Sequence, residues 1–360
     1  MRPRQPRVRD PPAAVAAYYV IGMSLFPSAG YEAVLGWLLG GLRWLEGGAL
    51  RLAGKSSLSR ARQRLGEEPL RLLFDRMARP LDDPGLKNSR WRDLCLVAPD
   101  GGTLALQDTA ACAEAFGRSG NQNGEAGFPQ ARFAALAETG THLVFGASLG
   151  AYNDSEITLA GRLLDRLRPG MLCLTDRLFA GLPLWRQAAA TGAHLLWRAK
   201  TGLALHRLRT LADSSWLARW EPSEARSIKA RAAGAVTVRV IEYRLLGGDG
   251  EVYRPVTTLP DPVHAPAERL AALYPRRWEI ELTIKEGKSV LRHGQVTLRS
   301  KTPELVRQEF WGLLLAHHMV RRMMAQAALD RGKDPEELSF TGAVEIVKMH
   351  LAGSLPSFSP

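Results

Sequence analysis

Cysteine is scarce in this chain of 360 residues, which holds three: Cys95, Cys112 and Cys173. None stands in the paired spacing of a zinc site, and three thiols build no disulfide framework, so they read as reduced core thiols. A long apolar run is also missing. The longest, Ala13 to Phe26, is too short to span a bilayer and follows no signal-peptide pattern, so a soluble cytoplasmic protein is expected. There is no phosphate-binding glycine loop, no dinucleotide fingerprint and no nucleophile elbow ahead of a helix. No internal repeat or low-complexity tract stands out. Acid is in deficit: 36 Asp and Glu against 48 Lys and Arg leave a net charge of +12. That balance favours a polyanionic partner, nucleic acid rather than membrane.

What is present is enough apolar sequence, 46%, for a real core. The first ninety residues read as helical. Arg2, Arg4, Arg7 and Arg9 form a basic, proline-broken lead, expected to be disordered. Pro11 and Pro12 open a helix from Ala13 to Ser24, and Tyr31 to Leu45 reads as a second. After Gly47 and Gly48 comes a short helix in Lys55 to Gly66, capped by Ser56 or Ser57 and ended by Gly66. Leu58, Ala61 and Leu65 make its inward face, while Arg60 and Arg64 project one turn apart. Such a helix suits a DNA groove or phosphate row, and equally a solvated surface.

From Trp91 onward strands take over. Leu94 to Leu106 is apolar up to Asp100, is expected to turn at Gly101 and Gly102, and then resumes, so it reads as a strand ending or bulging at a carboxylate. Ala131 to Glu138 and His142 to Leu149 follow as strands joined at Gly140. Ile157 to Leu167 has helical period and stops at Pro169-Gly170. Met171 to Thr175 is an apolar strand running into Asp176. This βββαβα order with acids at strand ends predicts an α/β ribonuclease-H-like core. His194 to Lys200 would be its last strand. Ser214 to Trp220, Val236 to Leu246 and Val252 to Leu259 then read as further strands, with a hairpin turn at Gly247, Gly248 and Gly250. Pro303 opens a long amphipathic helix to about Leu329, with Leu305, Phe310, Leu313 and Leu314 on the core and Arg321 and Arg322 in water. His317 and His318 are adjacent and cannot both face one metal. Glu279, Glu286 and Glu304 are expected to be solvated.

The stretch Tyr274 to Lys288, YPRRWEIELTIKEGK, carries the most specific pattern. On a helix of about 3.6 residues per turn, Tyr274, Arg277, Glu281 and Lys288 share one narrow stripe. Pro275 suits a first helical position, which would make Tyr274 the cap. Leu273, Ile280 and Ile284 flank the stripe on one side, Trp278 and Leu282 on the other. An amphipathic helix with ordinary ion pairs would look similar. The spacing, however, resembles the tyrosine, arginine, glutamate and lysine signature of the insertion sequence 4 family of DDE transposases, and the run from Arg277 to Glu281 resembles that family's too. Asp100, in Asp-Gly-Gly-Thr, resembles its Asp-Gly-Thr box. Asp176, in Asp-Arg-Leu-Phe, resembles its Asp-Arg-Gly/Asn-Phe box. The likeness runs from about Ala13 to Phe340. It departs from the family pattern at Gly102, Ala105, Leu178, Lys285 and Gly287.

The resemblance implies a DNA transposase that binds terminal inverted repeats and performs two-metal phosphodiester cleavage and strand transfer. It implies a helical DNA-binding part over 1–90, a ribonuclease-H-like core over 91–200 and 261–330, a β-rich insertion over 201–260 and a tail over 331–360. Members usually carry more helix ahead of Lys55, so part of the end-binding domain is expected to be absent. Asp100, Asp176 and Glu281 would be the catalytic acids and would hold two Mg²⁺ ions, with Mn²⁺ able to substitute; Asp100 would bind both ions. Tyr274, Arg277 and Lys288 would contact the transposon end, although Arg277 is also placed to pair with Glu281. Arg60 and Arg64 would grip DNA. The partners implied are transposon ends and target DNA, in a homodimer at synapsis, with no membrane and a place at the nucleoid. The alternatives are a non-catalytic DNA-binding descendant and a metal-dependent nuclease of the same fold.

Overall fold

The computed structural model describes residues 11–42, 53–121, 124–222, 234–244, 251–292 and 296–353. The arginine-rich lead, the predicted helix beyond Leu42, and Gly247, Gly248 and Gly250 lie outside these residues.

Four helices come first: α1 (Ala13–Leu25), α2 (Tyr31–Leu42), α3 (Lys55–Leu65) and α4 (Glu68–Met77). α1 has no charged residue and is buried along most of its length, as an all-apolar helix must be. α3 starts earlier than its serines suggested: Gly54 is the cap in place of Ser56 or Ser57, and the Lys55 amide donates to the Glu32 carboxylate at 3.1 Å. Gly66 ends it in the left-handed region, as expected.

The sheet is built on β2 (Leu94–Ala105), with the two-residue β1 (Arg90–Trp91) on its start. β4 (Gly124–Glu138) pairs antiparallel with β2 and with β5 (Val144–Ala151), while α5 (Ala110–Phe116) and the short β3 (Arg118–Asn121) sit in the connection. After α6 (Glu156–Gly161), β6 (Met171–Thr175) pairs parallel with β2. α7 (Leu182–Ala190) then leads to β7 (His194–Arg198), parallel to β6. The core order is therefore β5-β4-β2-β6-β7, three antiparallel strands continued by two parallel ones. That is the ribonuclease-H-like arrangement the element order predicted. Every residue of β6 is buried, as a strand covered on both faces requires.

The later strands extend this same sheet. β13 (Pro255–Thr257) pairs antiparallel with β7, and β10 (Val236–Val240), β9 (Trp216–Trp220) and β8 (Leu205–Thr210) follow in turn, making an eleven-stranded sheet among the described residues. β11 (Tyr243–Arg244) and β12 (Val252–Tyr253) form a separate ribbon. β8 has no counterpart in the sequence reading, because its exposed His206, Arg207 and Arg209 hide the strand pattern. At the sheet's rim such charges discourage pairing with another chain.

A continuous helical run follows, from Ala267 to Val290. It comprises α8 (Ala267–Leu273), a 3₁₀ stretch (Tyr274–Trp278), α9 (Glu279–Lys285) and a π-helical turn (Glu286–Val290). Tyr274 is therefore not a cap; Pro266 holds that place. Pro275 instead falls inside the run, where its missing N–H breaks the α ladder and the chain tightens to 3₁₀.

α10 (Pro303–Leu329) is the spine of the molecule, and α11 (Phe340–Leu351), capped by Ser339, follows it. The expected amphipathic helix is in fact buried on nearly every side from Gln308 to His318. At Gly312 a Cβ would stand 2.8 Å from Val20 Cγ1 and 3.0 Å from Val20 O, so only glycine lets α1 come this close. Arg321, expected in water, is 3% exposed; Arg322 is exposed as expected.

Candidate active site

The parallel ladder between β2 and β6 pairs Cys95 with Met171 and ends where Val97 meets Cys173. Asp100 and Asp176 each lie three residues beyond that last pair, so the two acids emerge level at one end of the sheet. Contrary to expectation, β2 neither ends nor bulges at Asp100. Its ladder to β4 runs unbroken from Val97–Glu138 to Ala105–Gln130, and Gly101 and Gly102 pair with Ala134 and Phe133. What ends there is the neighbour on the other side, leaving the flank of Asp100 open.

Both aspartates are half-buried and locally fixed. Asp100 Oδ1 accepts the Gly101 N–H at 2.8 Å, and Asp176 Oδ1 accepts the Leu178 N–H at 2.7 Å. Burial, with the charges of Glu156 and Glu281 adding to it, pushes Asp100 up to about 6. Glu156, at the start of α6, is itself raised by burial and by Asp176.

The helical run supplies the third expected acid. Glu281 is exposed, and its Oε1 lies 3.2 Å from Arg277 Nη1. Arg277 is buried, with its guanidinium 4.2 Å from the Trp278 ring centroid, so the pairing foreseen as an alternative is present. Tyr274 is 4% exposed, and its hydroxyl donates at 3.0 Å to the carbonyl of Thr175, the residue before Asp176. Lys288, half-buried on the π turn, is lowered by burial and by Arg292; its Nζ lies 3.6 Å from where a Cβ on Gly102 would stand. The structure thus gathers Asp100, Asp176, Glu281, Arg277, Tyr274 and Lys288 around one end of β2 and β6. Among the described residues, no three acidic, histidine or cysteine side chains stand close enough as they are to hold an ion. Arg60 and Arg64 belong to a different surface, the outer face of α3, where both are exposed.

Behind the site lies a network that sequence reasoning missed. Glu286, expected in water, meets His142 Nδ1 at 3.1 Å and His317 Nε2 at 3.0 Å, and accepts from Arg321 Nε at 2.8 Å. Burial pushes Glu286 up, but hydrogen bonds from His142, His317 and Arg321 win and hold it well below the usual carboxylate range. Glu279 is also engaged, with the Gly140 amide and at 2.7 Å with Arg276. His318 turns away to the Val144 carbonyl, and burial pushes it down to about 4, so neither histidine of the pair is a free ligand. Arg62 was missed as well. It shares the inward face with Leu58 and, 1% exposed, donates to Gln308 at 2.9 Å and Ser300 at 2.8 Å. Its helical spacing from Leu58 was the available signal.

Residues 91–319 match the family described as "Transposase DDE domain", and residues 2–75 match "Insertion element 4 transposase N-terminal". The transposase InsG for insertion sequence element IS4 of Escherichia coli (strain K12) is 32% identical over 312 residues, covering 85% of this chain and 70% of that protein. The putative transposase InsZ of the same organism is 26% identical over 202 residues, 50% of this chain and 68% of its own. Among solved structures, the cryo-EM structure of a piggyBac transposase synaptic complex with hairpin DNA aligns at TM-score 0.47 and 9% identity, covering 95% of this chain and 71% of that one.

Proposed function

The chain belongs to the insertion sequence 4 family of DDE transposases, and from that premise we propose which of its residues carry the cleavage and joining of DNA strands. The family works with divalent metal ions. In this chain Asp100, Asp176 and Glu281 hold them, as two Mg²⁺ that Mn²⁺ can replace. The observation that carries this reading is the level emergence of Asp100 and Asp176 from neighbouring parallel strands, with Glu281, paired to Arg277, near enough on the helical run for its charge to be felt at Asp100. Hard carboxylate oxygens suit such cations, and a cation would relieve the burial and like charge that raise Asp100. Bound there, such ions would activate the attacking hydroxyl or water and neutralise charge on the attacking and leaving oxygens.

The chain's own residues do the positioning. Arg277 and Lys288 hold the phosphate backbone of the transposon end so that the scissile phosphate lines up. When Arg277 turns to phosphate, Glu281 is released toward the aspartates. Tyr274 serves the same end by fixing the peptide that leads into Asp176. Arg60 and Arg64 grip the terminal inverted repeats from α3. Two ends joined to one target imply a homodimer at synapsis, acting on DNA in the cytoplasm. The helical part over 1–90, the core over 91–200 and 261–330, the insertion over 201–260 and the tail over 331–360 complete the reading.

The test is cleavage of a labelled duplex carrying the gene's own flanking repeats, with Mg²⁺ or Mn²⁺, beside Asp176→Asn. Metal-dependent nicking at the repeat boundary, lost in the variant, is expected. Specific binding without nicking by the wild type would instead identify a DNA binder that has lost strand transfer.

A further inference from the structure

Three acids at this site follow from the signature; the structure adds another. We infer that Glu156 is a fourth carboxylate of the ion site, holding a divalent cation together with Asp100 and Asp176 from the opposite side to Glu281. The inference rests on the reading of Asp100, Asp176 and Glu281 as the ion-holding acids.

Glu156 is set in place by its surroundings. The turn ahead of it is closed by Asp154, whose Oδ2 accepts the Ala151 N–H at 3.0 Å. Arg132 Nε donates to Tyr152 O at 2.8 Å, and Ser148 Oγ donates to Leu159 O at 2.9 Å, so the first turn of α6 is tied to β4 and β5. From there the side chain crosses over β2. A Cβ at residue 101 would stand 2.7 Å from Glu156 Cγ and Cδ and 2.8 Å from its Oε1. The carboxylate therefore lies on the Gly101 backbone, beside Asp100, in the space that a side chain at 101 would fill. An interior strand glycine costs packing and backbone entropy; here its absent side chain is what admits the acid.

The bland role for Glu156 is to pair with Arg132, whose Nη1 lies 3.8 Å from Oε2. Arg132 has other work, however: its Nε is spent on Tyr152 O and its guanidinium sits 5.1 Å from the Tyr152 ring centroid. That long contact engages one carboxylate oxygen and leaves Oε1 over Gly101. In a chain short of acid, the charge of a fourth carboxylate is then felt beside Asp100 and Asp176.

The test measures Mn²⁺ binding to the full chain by calorimetry and by the electron paramagnetic resonance of free Mn²⁺, without DNA. Asp100→Asn should abolish binding. Glu156→Gln should weaken it about tenfold or more, the range for groups that support a metal site. Gly101→Ala should weaken it similarly, because the new methyl displaces the carboxylate while leaving its charge and Arg132 in place; it carries the test alone if the glutamine variant folds poorly. If Asp100→Asn loses the ion while Glu156→Gln and Gly101→Ala bind like wild type, Glu156 is only the partner of Arg132 and the inference fails. If Asp100→Asn itself binds like wild type, the underlying acid-site reading fails and takes this inference with it.

Discussion

Glu286→Gln is the substitution whose cost the structure fixes most directly. The side chain of Glu286 is 12% exposed and that of Arg321 4%. Removing the negative charge leaves Arg321 a buried cation facing a neutral amide, with His142 and His317 deprived of the same acceptor. Breaking a buried pair from one side costs about 3 to 5 kcal/mol, more than two decades in the folded-to-unfolded ratio at about 1.4 kcal/mol per decade. Urea unfolding followed through the nine tryptophans would read it, beside Glu304→Gln as an exposed control expected within about 0.5 kcal/mol of wild type. The pH dependence adds a second reading. The folded pKa of Glu286 is depressed, so its stabilisation is present above the unfolded value of about 4.3 and drains away as pH falls below it. His317, held low by burial, loses stability in both proteins from about pH 6.5 downward, so the comparison belongs below about pH 4.3. There the gap between wild type and Glu286→Gln should narrow. A loss under about 1 kcal/mol at neutral pH, the range of exposed pairs, would refute the reasoning; so would a gap that widens in acid.

Tyr274→Phe removes the donor to Thr175 O and should cost about 1 to 2 kcal/mol in the same unfolding assay, with no loss expected if that hydrogen bond contributes nothing. Glu281→Gln should abolish strand cleavage while DNA affinity stays within a few-fold; normal cleavage would remove Glu281 from the acid set. Arg60→Ala with Arg64→Ala should weaken DNA binding and flatten its logarithmic salt slope by about 0.9 for each phosphate no longer neutralised. An unchanged slope would dismiss α3 as a DNA-gripping helix.

How far the sequence could be read depended on where each residue's partners lie. β6 was legible because Met171 to Thr175 is uniformly apolar and runs straight into Asp176, so strand and acid come from one local signal. The long helix was placed at both ends by Pro303 and by the run to Leu329. Gly101 and Gly102 misled, since two glycines after an acid read as a turn; the reason they stay extended, their pairing with Ala134 and Phe133 of β4, is not local. Pro275 misled in the same way, as a start signal that falls inside a helical run already begun at Ala267. Glu286 and Arg321 read as wet because each carries charge on a face that looks polar, and their partnership spans separate elements. Glu156 carries no local signal, because the apolar period of α6 begins only at Ile157.

The close seat of Val20 on Gly312 also bears on the order of synthesis. α1 leaves the ribosome well ahead of α10, which together with α2 and α3 covers it. At about 5 to 20 residues per second, the all-apolar helix waits on the order of 15 to 60 seconds, exposed or in the keeping of a chaperone, before α10 emerges. The helices ahead of the sheet therefore gain their final packing only once α10 has been made. A message broken before Pro303 would yield a product whose apolar helix has no seat, a ready substrate for proteolysis rather than a partial DNA binder.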